Sequence, residues 1–153
     1  MFASPEVETF WTYTERSLDR LVELTRDLSD QQLNWRPQAA QPANSLYVLA
    51  WHTLGSIEEG LLFRLCGQPG ERDRDSEFAA SAAAAALEER WSDLRERLAS
   101  ALPKVEPAAL ERTLEHSRRG PLTGREMMLI AARHAAEHLG QAELTRDLLG
   151  ASA

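Results

Sequence analysis

Three of the four histidines in this 153-residue chain interrupt apolar rows at helical spacing. His134 and His138 stand in the row Met127, Ala131, His134, His138, Gln141, Thr145, Leu148, which advances in alternating steps of four and three. On a helix, residues at i and i+4 project from one face about a turn apart, so both imidazoles can reach one ion with nitrogen–metal bonds near 2.1 Å. Such pairs also arise by chance on solvated helices, and a lone core histidine is usually satisfied by a hydrogen bond, so the pair alone defines no site. His52 changes the balance, because it interrupts a second inward row: Val48, His52, Gly55, Glu59, Leu62, Cys66. Burying three imidazoles without partners is costly, whereas one metal ion satisfies a nitrogen of each. Three neutral ligands leave a divalent ion its full charge and an open position, where a thiol would ionise or a water would be activated.

The neighbours of these histidines divide into helpers and bystanders. Glu59 lies two turns beyond His52 and Gln141 one turn beyond His138, so either could orient an imidazole or a metal-bound water. Glu59 has an equally weighted alternative, tilting outward to pair with Arg64. Glu137 completes His134-Ala-Ala-Glu137-His138, the pattern of inverted zinc proteases with the glutamate as general base. That assignment fits poorly, because Glu137 lies off the inward row and only Glu143 and Asp147 follow as carboxylates. His116, beside Ser117-Arg118-Arg119-Gly120, reads as a solvated loop residue rather than a fourth ligand. Cys66 is the single cysteine, so it forms no internal disulfide, and after Leu65 it reads as a small buried hydrophobe.

Positioning these residues requires four long helices. Ser4-Pro5-Glu6 supplies a cap, a proline at the first helical position and an acid at the positive end of the dipole, opening a helix predicted over residues 5 to 28. Residues 29 to 43 are expected to be irregular, with Ser29-x-x-Gln32 as a one-turn capping box and Pro37 and Pro42 as breaks. A second helix is predicted from about 45 to 66, stopped by Gly67 and Pro69-Gly70. The charged stretch 68 to 77 reads as a solvated connection. A third helix over about 79 to 102 follows from the stripe Leu87, Trp91, Leu94, Leu98, and Pro103 ends it. Residues 104 to 122 read as a loop or small hairpin, and Thr123 caps a last helix over about 123 to 149.

Composition sets the outer limits. With 43% hydrophobic residues the chain suits a single domain over 1–153. The 24 acidic against 17 basic residues give a net charge of −7, which disfavours a nucleic-acid partner. No run approaches the roughly 18 apolar residues of a membrane span, and the start Met-Phe-Ala-Ser-Pro-Glu lacks the pattern of a secretory signal, so a cytoplasmic location without a membrane role is expected.

The combination Leu33-x-Trp35-Arg36-Pro37, Asn44-Ser45-Leu46 followed by His52, and His134-x-x-x-His138-x-Gly140-Gln141 resembles the DinB-like superfamily of metal-dependent enzymes, over nearly the whole chain. The resemblance implies an all-α four-helix bundle in an up-down-down-up arrangement, with a long connection between helices two and three. It implies His52, His134 and His138 as ligands of one divalent ion, zinc, nickel or similar. It further implies a homodimer and a small-molecule substrate, with a low-molecular-weight thiol such as bacillithiol or mycothiol as cosubstrate in an S-transferase-like reaction. Hydrolysis by metal-bound hydroxide is the alternative chemistry, and a non-enzymatic metal-binding or stress-associated module the alternative class. The fold label alone selects none of them.

Overall fold

The computed structural model of the chain describes residues 1–37 and 43–151. The expected break at Pro42 lies outside the described residues. Helix α1 spans Pro5–Glu23, with the Ser4 hydroxyl accepting the Val7 N–H at 3.4 Å and Val7, Trp11, Thr14, Leu18, Leu21 and Val22 buried along one face. It ends before residue 28 because the Thr25 hydroxyl and N–H both turn back to the Val22 carbonyl and Asp27 adopts φ 60°. Both bonds tighten the chain out of the α-helix, so Leu28 follows a turn rather than continuing the stripe. The capping box is formed: Gln32 N–H donates to Ser29 Oγ at 3.3 Å and Ser29 N–H to Gln32 Oε1 at 3.0 Å. It opens the single turn α2, Asp30–Leu33.

Helix α3, Leu46–Ile57, is capped by Ser45 and runs on as a π-helical segment over Glu58–Leu65. The wider winding rotates the row drawn at α spacing, so Leu65 takes the buried position and Cys66 is left half-buried. Gly67 then reverses the chain at φ 69°.

The connection that follows is not a solvated one. It carries a short helix, α4, Arg74–Ala79, capped by the Asp73 carboxylate, which folds back onto α3 and buries Arg72 and Glu77. Helix α5, Ala84–Ala101, starts later than predicted because Ala80 and Ala83 are extended, and it buries Leu87, Trp91, Leu94 and Leu98. Two 3₁₀ turns lead to an antiparallel hairpin, β1 Thr113–His116 and β2 Gly120–Thr123, with Leu114 opposite Leu122 and His116 opposite Gly120. Helix α6, Gly124–Ala151, opens on a reciprocal box between Thr123 and Glu126. Gly124 is required there, since a Cβ would stand 2.4 Å from the Ala109 carbonyl oxygen.

The four long helices share one core, α6 lying against α1 and α3, and α5 against α3 and α1. The all-α expectation therefore holds in bulk, with two short helices and a small sheet added. No helix among the described residues is long and apolar enough to cross a membrane.

Candidate metal centre

The packing of α3 on α6 brings the three histidines together. Ring centroids are 4.3 Å apart for His134 and His138, 5.3 Å for His52 and His138, and 5.4 Å for His52 and His134. One nitrogen from each lies within 4.8 Å of the others, the one such cluster among the described residues.

Hydrogen bonds already occupy one nitrogen of two of the rings. His52 Nδ1 lies 3.0 Å from Glu77 Oε2, and His138 Nδ1 lies 2.7 Å from the Gln141 side-chain oxygen. Both partners accept, so each Nδ1 carries the proton and each Nε2 keeps its lone pair. Arg72 Nη2 also approaches His52 Nδ1 at 3.2 Å, but a deprotonated Nδ1 would set its lone pair against the ionised Glu77. The Nδ1–H tautomer is the arrangement without that repulsion. His134 Nε2 is buried and has no hydrogen-bond partner.

Burial pushes the His134 pKa down to about 3, with the charges of His138, His52, Arg72 and Arg119 acting in the same direction. Burial also lowers His138, aided by His52, against the opposing effects of Gln141 and Glu137. These two imidazoles are neutral near pH 7, the form a metal requires. An orphaned buried nitrogen beside two rings of fixed tautomer fits a divalent ion held by three imidazoles.

Behind His52 stands a buried ionic layer. Arg72 grips Glu77 through Nε at 2.9 Å and Nη2 at 2.7 Å, and reaches Glu59 through Nη1 at 3.3 Å. Arg64 closes on the other Glu59 oxygen at 3.5 Å. Burial alone would raise both carboxyl pKa values. Hydrogen bonds from His52 and Arg72 bring Glu77 below its ordinary value, and Ser117, the His116 charge and Arg72 do the same for Glu59. Gly55 makes room for this layer, since a Cβ there would stand 1.9 Å from Glu77 Oε1.

Gln141 lies with its side-chain oxygen against His138 Nδ1. Glu59 does pair with Arg64, but from inside the protein, and it touches the histidines only through Arg72 and Glu77. Glu137 is exposed and pairs with Arg133 at 3.5 Å, and it stands outside the three-histidine cluster. His116 is not a solvated loop residue. It sits buried on β1, its Nδ1 accepts the Arg118 N–H at 3.2 Å, and it stands outside the three-histidine cluster. Burial raises the Cys66 thiol to about 11, which keeps it protonated. Arg72 and Glu77 were missed because a charged, turn-rich stretch normally faces water. The usable signal was Asp73-Arg-Asp-Ser76 before Phe78, a capped turn with an apolar anchor.

Comparison with known proteins agrees with this architecture. No curated protein matches the chain. A DinB-like protein from Bacillus cereus ATCC 10987 superposes with a TM-score of 0.71 at 19% identity, covering 98% of this chain and 95% of that one. A conserved protein from Enterococcus faecalis superposes with a TM-score of 0.69 at 18% identity, covering 93% and 95%. At these identities the likeness speaks to the fold alone. The family model described as the DinB superfamily matches residues 13–142, most of the chain including all three clustered histidines, and the chain belongs to that superfamily.

Proposed function

We propose that this protein is a metal-dependent enzyme in which His52, His134 and His138 hold one divalent ion that acts on a small thiol cosubstrate. The observation that carries the metal is the buried, partnerless Nε2 of His134 beside two imidazoles whose Nδ1 atoms are already engaged. The thiol rests on the family resemblance and on the open position that three neutral ligands leave. The up-down-down-up helix order belongs to the same reading, supported by α6 lying against both α1 and α3.

An ion bound at the three nitrogens would supply positive charge that favours the thiolate of a bound thiol. The protein's own groups prepare the site for it. Glu77 and Gln141 fix the tautomers of His52 and His138, and burial keeps His134 neutral. Arg72 holds Glu77 ionised and in place. In the proposed transfer the sulfur bonds to an electrophilic carbon, the leaving group departs with the electron pair of the broken bond, and the thiol proton passes to solvent.

Titration of the cobalt-substituted protein with small thiols tests this reading. A thiolate-to-metal charge-transfer band at millimolar thiol is expected. Its absence, in protein shown to hold cobalt at the three histidines, would overturn thiol transfer and favour hydrolysis.

A further inference from the structure

A cavity of about 200 Å³ opens beside the histidines, and its wall is of one sign. Arg72, Arg74, Arg118 and Arg119 line it together with His52 and His134, and no carboxylate does. In a chain with 24 acidic residues against 17 basic ones, an average surface would not supply four arginines and no acid. Arg72 is neutralised by Glu59 and Glu77 behind the wall. The others are not so matched. Arg74 lies over the Phe78 ring at 4.5 Å, which holds its guanidinium in place, and its nearest carboxylate is the fully exposed Asp75 at 4.0 Å. Arg118 and Arg119, at the hairpin turn, enter no ion pair among the described residues.

Uncompensated cations next to a site for a divalent cation repel that ion and each other, an arrangement that costs free energy unless an anion completes it. Guanidinium groups suit that task, because their forked donors match the oxygens of carboxylates and phosphates. We propose that this cavity binds an anionic group of the substrate or cosubstrate, a carboxylate or a phosphate, through Arg118 and Arg119 with Arg74 beside them. The proposal rests on the metal reading for what lies at the reacting end, while anion binding itself stands on the arginine wall. The small volume admits a short anionic molecule or the charged end of a longer one.

Calorimetric titration of succinate, inorganic phosphate and the neutral succinamide tests it, each against metal-free and zinc-loaded protein. One anion per chain should bind in both forms, succinamide should not bind, and R118A/R119A should weaken the anion about tenfold or more. The charge-reversed R118E/R119E should abolish binding while far-ultraviolet circular dichroism stays unchanged, since both side chains are exposed. Preference for succinate would identify a carboxylate, and preference for phosphate a phosphoryl group. Equal anion binding by the double variants, succinamide binding as tightly as succinate, or no anion binding at millimolar concentration would overturn the proposal. Because the metal-free arm needs no ion, failure here is distinguishable from failure of the metal site.

Discussion

His134 and His116 show what the residue types alone can and cannot say. Both are buried or nearly so, yet His134 has a fully buried ring nitrogen without a hydrogen-bond partner, while His116 Nδ1 receives the Arg118 N–H. His138→Ala should therefore abolish most zinc affinity, and His116→Ala should leave it nearly unchanged, measured by competition with a chelating dye. Equal losses would make His116 a ligand. Glu77 touches no metal position but fixes the proton of His52, so Glu77→Gln should weaken zinc binding by about 10- to 100-fold, the usual effect of removing an orienting partner. Gly55→Ala should have a similar effect through steric displacement of the same carboxylate. The histidine rows were legible in the sequence because side chains on two helix faces obey helical periodicity. Glu77 was not, because its partner lies 25 residues away on a separate element.

The connection between α3 and α5 is the element that departs most from its sequence signature. Six of the ten residues from 68 to 77 are charged, which ordinarily means solvent, and yet Arg72 and Glu77 are sealed against α3. Charge pattern reports the average fate of such residues, whereas a bidentate ion pair that also holds a histidine has its own reason to be buried. Arg72→Ala would leave Glu77 buried without its guanidinium partner and Glu59 with Arg64 alone, and should cost about 3–5 kcal/mol of stability. Arg16→Ala on the exposed face of α1 should change stability by less than about 0.5 kcal/mol, and urea denaturation compares the two. The four long helices were legible because each has an apolar stripe and all but α5 have a side-chain cap at the N-terminus. Their ends were less so: local turns at Thr25 and Asp27 cut α1 short, and π winding displaced Cys66 from the inward row.

The whole molecule carries its histidine cluster as a cost that a bound ion would offset. In the metal-free protein His134 has a pKa near 3 against an ordinary value of 6.5, so below pH 6.5 the unfolded chain binds more protons than the folded one. Stability should thus fall as pH drops from about 6.5, by up to about 1.4 kcal/mol per pH unit from this group. His138 acts in the same direction, and the depressed Glu77 and Glu59 add their loss only below about 4.5. His134→Gln should flatten the slope between pH 6.5 and 4.5 in thermal melts taken across that range. Zinc at a hundred times its dissociation constant should stabilise the fold by about 2.7 kcal/mol. Binding of one ion by three imidazoles is measured by X-ray absorption at the zinc edge on untagged protein loaded with one equivalent. Three imidazole nitrogens near 2.1 Å are expected, falling to two in His138→Ala. A spectrum with one imidazole or none, or one unchanged by that substitution, would contradict it.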